Sequence, residues 1–418
     1  MMSGPETPRA RFLVMFTLVV AGEMIFSLPF HLPRYFRPSF LAAYGLGNAD
    51  LGDVFAAYGL TAMAAYFPGG VIADRFPARR LMSVALVATA AGGCYLATGP
   101  GRLGMTLLYA WWGATTILLF WAAMMRATRT WGGTLAQGRA FGILDGGRGL
   151  AAAAFATFGV AIFSRGLAGG ASRVAALNAV VLFYTAVTFA AAMLAWWALR
   201  DDGHSEPAST RLAAGQVRAI LGSRVVWLQA LVVIAAYCGY KGLDNYALFV
   251  NQVLGLDETH AAAFAAASAY LRPVGAVLAG YVADRLGVAR VVSGLFLVLA
   301  LVYIALSVLA TAPSPLALVF ANLLVTYFGV FALRGVYFAL LEESRVPHVA
   351  TGAAVGVISL VGYTPDVFFA SVAGRILDAA PGAVGHGRYF LLLAAIAGVG
   401  LAAAVALRAS GRELARTG

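Results

Sequence analysis

A short charged motif occurs twice in this chain, once in each half. Five residues of the motif recur at one fixed spacing of 210 residues: Gly70, Ala73, Asp74, Arg75 and Arg80 return as Gly280, Ala283, Asp284, Arg285 and Arg290. The chain is 418 residues long, so the spacing is close to half of its length. A motif repeated at that spacing indicates an internal duplication and restricts the fold to two similar halves.

Apolar stretches long enough to cross a bilayer recur along the whole sequence. Hydrophobic residues make up 61% of the chain and charged residues only 11%, against about 25% in a soluble domain. Because about 20 apolar residues in a helix span the hydrocarbon core, we predict twelve membrane helices. Their predicted bounds are 11–31, 51–72, 81–98, 103–127, 138–164, 174–199, 225–253, 260–282, 291–311, 315–341, 349–377 and 388–408. The predicted fold class is an all-α membrane protein with two pseudo-symmetric six-helix bundles.

One long polar segment lies between the sixth and seventh predicted spans. We therefore divide the chain into an N-terminal six-helix bundle at 1–199, a cytoplasmic linker at 200–223 and a C-terminal six-helix bundle at 224–418. The linker residues 208–223 are basic enough to lie on the membrane surface as a helix, attracted to anionic lipid. A simple tether between the bundles explains the same residues equally well.

The loops between the predicted helices carry arginine unevenly. Seventeen arginines fall in loops on one side of the membrane and seven in loops on the other. Because basic loops stay in the cytoplasm, this excess places both termini there and agrees with an even number of spans. Topology explains the net charge of +11, and we expect no nucleic-acid binding. We predict a multi-pass monomer of the plasma (inner) membrane that contacts membrane lipids.

Ionisable residues inside the predicted spans are few and unevenly placed. Away from the ends of the spans they are Glu23, Asp145, Arg148, Lys241, Asp244, Arg272, Arg334 and Asp366, to which Arg126 near the end of span four is added. Spans three, six, nine and twelve contain none except at their ends. Because an ionised side chain at the bilayer centre costs at least about 2.5–3.5 kcal/mol, each should face water or a partner. The pattern predicts that the third helix of every triplet faces lipid while the others enclose a polar cavity.

Lys241 is the only lysine among the 29 basic residues, and it lies inside the seventh span. A buried ammonium group binds anions as a point charge, whereas arginine grips planar oxyanions with two hydrogen bonds. Lys241 therefore points to an anionic ligand. The alternative is a salt bridge to Asp244 or Asp366 that only neutralises the bundle.

The predicted site combines these charges with neighbouring polar side chains. The candidate substrate-binding residues are Glu23, Arg148, Tyr237, Lys241, Asn245, Arg272 and Arg334. Glu23, Asp145 and Asp366 are candidates for proton coupling, because a carboxyl group surrounded by hydrocarbon takes up a proton more readily. Four deep basic residues stand against four acidic ones, so we expect partial internal pairing.

The sequence carries no signature of an enzyme or of a cofactor site. Its two cysteines, Cys94 and Cys238, fall inside predicted spans and give neither a disulfide framework nor a metal site. All five histidines lie near loops, so neither a nucleophile–base set nor a metal-ligand cluster follows. We therefore expect no enzymatic activity, no metal and no cofactor.

At the repeated motif the chain resembles the major facilitator superfamily. The family signature between spans two and three, Gly-x-x-Ala-Asp-Arg-x-x-x-Arg-Arg, is met at 70–80, and its copy is met at 280–290. The resemblance covers nearly the whole chain and implies a cavity lined by spans one, four, seven and ten. It also implies a conformational latch at the cytoplasmic helix ends, formed by Gly70, Asp74, Arg75, Arg80, Gly280, Asp284, Arg285 and Arg290.

Two departures from the family pattern argue against a flexible turn in the first motif copy and against drug efflux by exchange. Pro77 replaces the usual glycine in the first motif copy, and span five lacks the Gly-Pro-x-x-Gly run seen in drug antiporters. The region from Trp131 to Gly149 is similar to bacterial permeases for organic anions and sugar derivatives.

The residues and the resemblance together predict a secondary active transporter. We expect it to move a small polar or anionic organic solute through one central site by alternating access, coupled to protons as a symporter. One alternative is an efflux carrier for a drug or lipophilic cation, attracted by Glu23 and Asp366. Another is a membrane sensor that binds a solute without moving it.

Overall fold

The computed structural model of the protein describes residues 7–133, 136–200, 221–340 and 356–417, with side chains as far as residue 409. Within these ranges all regular structure is helical, as expected where lipid offers the backbone no hydrogen-bond partners. Most of the predicted linker at 200–223 lies outside the described residues, so both of its interpretations stay predictions.

Twelve helical segments of the described chain are long and apolar enough to cross a membrane, when the bent first segment counts as one span. They are α1 (Pro8–Met24, continued by Ser27–Tyr35), α2 (Asn48–Arg75), α3 (Ala78–Ala97), α4 (Arg102–Gly132), α5 (Gln137–Ala168), α6 (Arg173–Ala198), α7 (Arg224–Gln252), α8 (Glu258–Leu286), α9 (Val288–Thr311), α10 (Leu316–Ala339), α11 (Gly356–Ala379) and α12 (Ala383–Ala409). They follow the order of the predicted spans, and the predicted all-α class is confirmed.

The first span is broken after Met24, and its two parts meet at 41°. Ser27–His31 forms a wide π turn, in which the N–H of His31 bonds to the carbonyl of Phe26 five residues back. Pro29 has no N–H group and cannot continue a regular α-helical ladder. The predicted span 11–31 is therefore two segments rather than one helix, and the kink turns His31 back toward Glu23.

The helices pack as two compact units. The first contains Met1–Leu46, Asp53–Pro207 and Leu256–Tyr270, and the second contains Gly47–Gly52, Ala208–Gly255 and Leu271–Gly418. The first unit therefore holds α1, α3 to α6, most of α2 and the beginning of α8. The second holds α7, α9 to α12, the rest of α8 and the first residues of α2. Two short segments thus pack with the unit formed mainly by the other half of the chain.

The internal duplication is visible in how the repeated segments are buried. Residues 61–80 and 271–290 share the same sequence of buried, half-buried and exposed positions, except at Ile72 and Val282. Helix pairs repeat as well, since α3 packs along α6 in the first unit and α9 packs along α12 in the second. The turns after the motif differ, because Pro77 has φ −57° whereas Gly287 has φ +88°, which favours glycine.

The first turn of α2 is capped by a side chain that is distant in sequence. The carboxylate of Asp378 accepts hydrogen bonds from the backbone N–H groups of Asn48 (3.1 Å) and Ala49 (2.7 Å) and from the side-chain amide of Asn48 (2.9 Å). N–H groups at a helix start have no partner within their own helix. Gly374 precedes Asp378 by one turn of α11, and a Cβ atom added there would overlap the carbonyl oxygen of Asn48. Glycine therefore permits the contact between α2 and α11.

Candidate functional site

Glu23 lies at the centre of a buried ion cluster in the first unit. Its Oε2 accepts a hydrogen bond from Nε of Arg148 at 3.0 Å, and its Oε1 lies 3.2 Å from Nε2 of His31. The side chains of Glu23, Arg148 and His31 are 2%, 8% and 5% exposed. A buried carboxylate is tolerated only when its charge is compensated, and Arg148 supplies the opposite charge.

Aromatic rings enclose the guanidinium group of Arg148. The ring centroids of Phe26 and Trp121 lie 5.6 and 5.8 Å from its Cζ atom, within the range of a cation–π interaction. Gly22 leaves room for this side chain, because a Cβ atom there would lie 3.2 Å from Cδ of Arg148 and 2.7 Å from Sδ of Met124. Side chains and backbone of α1, α4 and α5 thus fix Arg148 together.

A second ion cluster surrounds Lys241 in the second unit. Its Nζ atom lies 3.3 Å from Oδ1 of Asp366 and 3.6 Å from Oδ2 of Asp244. The hydroxyl group of Tyr237 donates to Asp366 and lies 3.0 and 2.9 Å from the two carboxylate oxygens. Both acids that the sequence offered as partners of Lys241 are therefore within ion-pair distance of its ammonium group.

Arg334 approaches the second cluster through a layer of aromatic rings. Its Cζ atom lies 4.1 Å from the ring centroid of Tyr240. The ring of Tyr240 stacks on Tyr237 at 6.0 Å, and Tyr363 meets Tyr237 edge-on at 4.9 Å. Tyr240 and Tyr363 are additions to the predicted site, and they hold the ring whose hydroxyl group bonds to Asp366.

Three other predicted site residues take different places. Asn245 donates from Nδ2 to the hydroxyl group of Tyr389 at 3.1 Å, which ties α7 to α12. Arg272 is buried in α8, and Asp145 is partly exposed on α5, one turn before Arg148. The roles in binding and proton coupling that the sequence suggested for these three residues stay predictions.

His31 is the residue of the first cluster that the sequence prediction missed. It stands at the end of the predicted span 11–31 and looked like a loop histidine. Two features of the sequence could have identified His31 as a member of the cluster. Pro29 and Pro33 predict a broken helix around it. The 210-residue offset also makes His31 the equivalent of Lys241, so each half places a basic side chain at the same repeat position, against a buried acid, Glu23 or Asp244.

The motif acids and glycines lie at the ends of α2 and α8. Asp74 and Asp284 are exposed, and in the described part of the chain neither carboxylate makes a hydrogen bond or a salt bridge. A Cβ atom added at Gly70 or Gly280 would have no atom of the described residues within 4 Å. The contacts of the latch implied by the family resemblance are not formed by these four residues here, and the latch stays a prediction.

The motif arginines lie on the surface. Arg75, Arg80, Arg285 and Arg290 are all exposed. The guanidinium group of Arg285 lies 4.3 Å from the ring centroid of Tyr281, and Nη1 of Arg290 donates to the carbonyl four residues before it at 2.9 Å.

Together the fold and the two clusters define a class of protein. Repeated membrane spans that carry compensated charges in their interior are typical of solute transporters. Among the described residues, no group of three or more histidine, cysteine, aspartate or glutamate side chains is placed to hold a metal ion.

The chain belongs to the Major Facilitator Superfamily, whose sequence profile matches residues 11–370. It is therefore a multi-pass membrane transporter that binds a small-molecule substrate and works by alternating access, and it is not an enzyme. The resemblance inferred from the repeated motif is confirmed at the level of the superfamily.

Two curated relatives match nearly the whole chain. Inner membrane protein YihN of Escherichia coli (strain K12) is 26% identical over 401 residues, which is 93% of each chain. Inner membrane protein YqcE of the same strain is 25% identical over 392 residues, which is 91% of each chain.

Solved transporter structures share the fold. A bacterial homologue of the human lysosomal transporter Spinster, in an inward-facing and occupied conformation, superimposes with a TM-score of 0.73 at 15% identity, over 97% of this chain and 98% of that one. The nucleoside transporter NupG superimposes with a TM-score of 0.72 at 12% identity, over 95% of this chain and 99% of that one. At these identities the likeness shows the fold alone.

Proposed function

We propose that this transporter carries a small polar or anionic organic solute together with a proton, as a symporter. The observation that supports this function is the pairing of a basic and an acidic side chain in each buried cluster. When a proton neutralises Glu23, Arg148 loses its counter-charge and can bind an anionic group. In the second cluster, a proton on Asp366 removes one of the two carboxylates that pair with Lys241, and an anionic group can take the place of that carboxylate. One proton and one monoanion then enter with no net change of buried charge.

Efflux of a drug or lipophilic cation has less support from this geometry. A cation would need accessible carboxylate oxygens and open aromatic faces. The carboxylate of Glu23 is already shared by Arg148 and His31, and two aromatic rings beside it face Arg148. In the second cluster, Lys241 and Tyr237 already occupy the oxygens of Asp366.

We further propose a monomer in the plasma (inner) membrane with both termini in the cytoplasm. The names of the two relatives, both inner membrane proteins, support the location. The excess of arginine on one side of the predicted topology supports the orientation.

A ligand screen tests the chemical class of the substrate. Purified protein is heated with organic acids, sugar acids or sugar phosphates, and with lipophilic cations as a second series, because a ligand that binds only the folded state raises Tm. We expect an anion to raise Tm, and we expect the rise to be lost in Arg148→Ala and Lys241→Ala. Arg224→Ala is the control, since Arg224 is an exposed arginine at the start of α7. A rise with cations alone would favour the efflux carrier.

Flux measurements then test transport itself. We expect an inward proton gradient to drive accumulation of the identified anion into proteoliposomes. Lys241→Ala and Arg272→Ala should abolish this uptake in protein that is folded and inserted. Retained uptake in both variants would remove the proposed site, and binding without any flux would show that the protein senses its solute instead of moving it.

A further inference from the structure

An open groove of about 780 Å³ runs between α1 and α5 in the first unit. Aromatic and aliphatic side chains of both helices form its walls, among them Phe12, Phe16 and Leu150, which are 71%, 47% and 53% exposed. Glu23 and Arg148 do not line the groove. Its lining is therefore distinct from the first ion cluster and is not used in the proposed transport function.

The two helices meet along the floor of this groove. A Cβ atom at Gly147 would lie 2.7 Å from Cγ2 of Val19, so the backbone of α5 packs directly on α1. Ala151 and Ala154 follow on the same side of α5, and their small side chains keep the groove deep. The result is an apolar slot in which a hydrocarbon chain can lie lengthwise.

One end of the groove is basic. Arg11 and Arg139 line it there, together with Trp131. Arg11 and Trp131 are interlocked, because Nη2 of Arg11 donates to the carbonyl of Trp131 at 3.1 Å and Nε1 of Trp131 donates to the carbonyl of Arg11 at 2.8 Å. The guanidinium group also lies 5.0 Å from the centroid of the indole ring. These contacts fix a positive charge at the mouth of the groove.

The length of the groove favours an amphiphile over a compact solute. Along α5, Leu150 lies about 17 Å from Arg139 at the helical rise of ~1.5 Å per residue. A positive end followed by an apolar slot of that length complements an anionic headgroup followed by an acyl chain. Basic pockets between membrane helices bind anionic headgroups in this way.

We propose that this groove binds one anionic phospholipid of the surrounding leaflet. The phosphate group lies against Arg11 and Arg139, and one acyl chain lies between α1 and α5 along Phe12 and Leu150. This site is additional to the transported solute, and it covers apolar surface on the helix that carries Glu23.

Quenching of Trp131 fluorescence tests the proposal. The protein is reconstituted in phosphatidylcholine vesicles in which the same small fraction of lipid is either brominated phosphatidylglycerol or brominated phosphatidylcholine. Bromine atoms on an acyl chain quench a nearby indole, and the Trp131 signal is the difference between wild type and Trp131→Phe. We expect the anionic lipid to quench this signal several-fold more than the neutral lipid.

Two charge variants show whether the arginines of the groove are responsible. Arg139→Gln should abolish the preference for phosphatidylglycerol while leaving the Arg11–Trp131 pair in place. Arg9→Gln should keep the preference, because Arg9 is exposed on the same helix as Arg11 but does not line the groove.

Two filling variants show whether the slot itself is occupied. Ala151→Phe and the milder Ala154→Leu fill the groove without changing its charge, and both should remove the preference. Equal quenching by the two lipids in wild type would overturn the proposal. A preference that survives in the filled variants would also overturn it, since surface charge alone would then explain the effect. Quenching by a brominated fatty acid that phosphatidylglycerol cannot displace would assign the groove to a single-chain solute instead.

Discussion

At the scale of single residues, each central acid of the two clusters is shared between two partners. Glu23 contacts Arg148 with one carboxylate oxygen and His31 with the other. Asp366 contacts both Lys241 and the hydroxyl group of Tyr237. Removing one member of such a buried pair leaves the other charge uncompensated, which costs more than removing both. Stability and transport can therefore be separated by paired substitutions.

The double substitution at Lys241 and Asp366 tests whether the ammonium group binds substrate or only neutralises the bundle. Lys241→Met removes the ammonium group that faces Asp244 and Asp366. We expect the free energy of unfolding to fall by about 3–5 kcal/mol, measured as a lower Tm. Adding Asp366→Asn should recover most of that loss. If Lys241 binds the substrate, the double variant is stable but the anion no longer raises its Tm. A stable double variant whose Tm the anion still raises would support the neutralising role.

His31 should set the pH dependence of transport. Histidine is the side chain that titrates near neutral pH, and a change in the charge of His31 alters how Glu23 is shared with Arg148. We expect uptake by His31→Gln to respond less to pH than uptake by the wild type. His260→Gln is the control, because His260 is an exposed histidine in the first turn of α8 and its ring pairs with Asp257 instead of Glu23. An unchanged pH profile in His31→Gln would contradict this role.

At the scale of helices, hydropathy predicted the order of the spans but not their internal breaks. Each span must satisfy its own backbone, so a run of apolar residues is enough to locate it. The break in α1 depends on Pro29 within a π turn, and the pairing of Glu23 with Arg148 depends on how α1 packs on α5. Contacts between residues that are far apart in the chain are set by packing, which hydropathy does not report. The sequence therefore located the charged residues inside the spans. It offered two possible partners for Lys241, namely Asp244 and Asp366, and it did not say which base pairs with Glu23.

The contact between α2 and α11 should depend on Gly374. A methyl group there would overlap a backbone oxygen, which cannot move aside as a side chain can. We expect Gly374→Ala to destabilise the protein by about 1–3 kcal/mol, measured as a lower Tm. Gly356→Ala is a matched control on the same helix, because a Cβ atom at Gly356 would have no atom of the described part of the chain within 4 Å. Equal Tm values for the two variants would show that α11 can shift without loss.

At the scale of the whole molecule, the duplicated halves conserve their framework and differ in their chemistry. The burial pattern around the two motifs is nearly the same. His31 and Lys241 are equivalent by the repeat, yet one carries an imidazole ring and the other an ammonium group. This difference between the halves agrees with the proposed symport, in which one half would respond mainly to protons and the other mainly to the charge of the solute.

The latch predicted for the motif acids belongs, on our interpretation, to a conformation other than this one. Asp74 is exposed and, within the described ranges, has no salt bridge or hydrogen bond, and Gly70 faces open space. If the predicted latch forms only in the opposite conformation, these residues need no contacts here, because the latch then adds nothing to the stability of this conformation. The same reasoning applies to Asp284 and Gly280 in the second copy.

Asp74→Ala should therefore slow the transport cycle without weakening the fold or substrate binding. We expect a Tm change equivalent to less than about 0.5 kcal/mol, because the side chain is on the surface. Ligand-induced stabilisation should be unchanged, whereas the uptake rate should fall at least about tenfold, which corresponds to ~1.4 kcal/mol in the rate-limiting step. Asp53→Ala is the control on the same helix, since its exposed salt bridge to Arg102, at 3.4 Å, contributes little. Normal turnover in Asp74→Ala would remove the latch role, and a large fall in Tm would show that Asp74 stabilises this conformation instead.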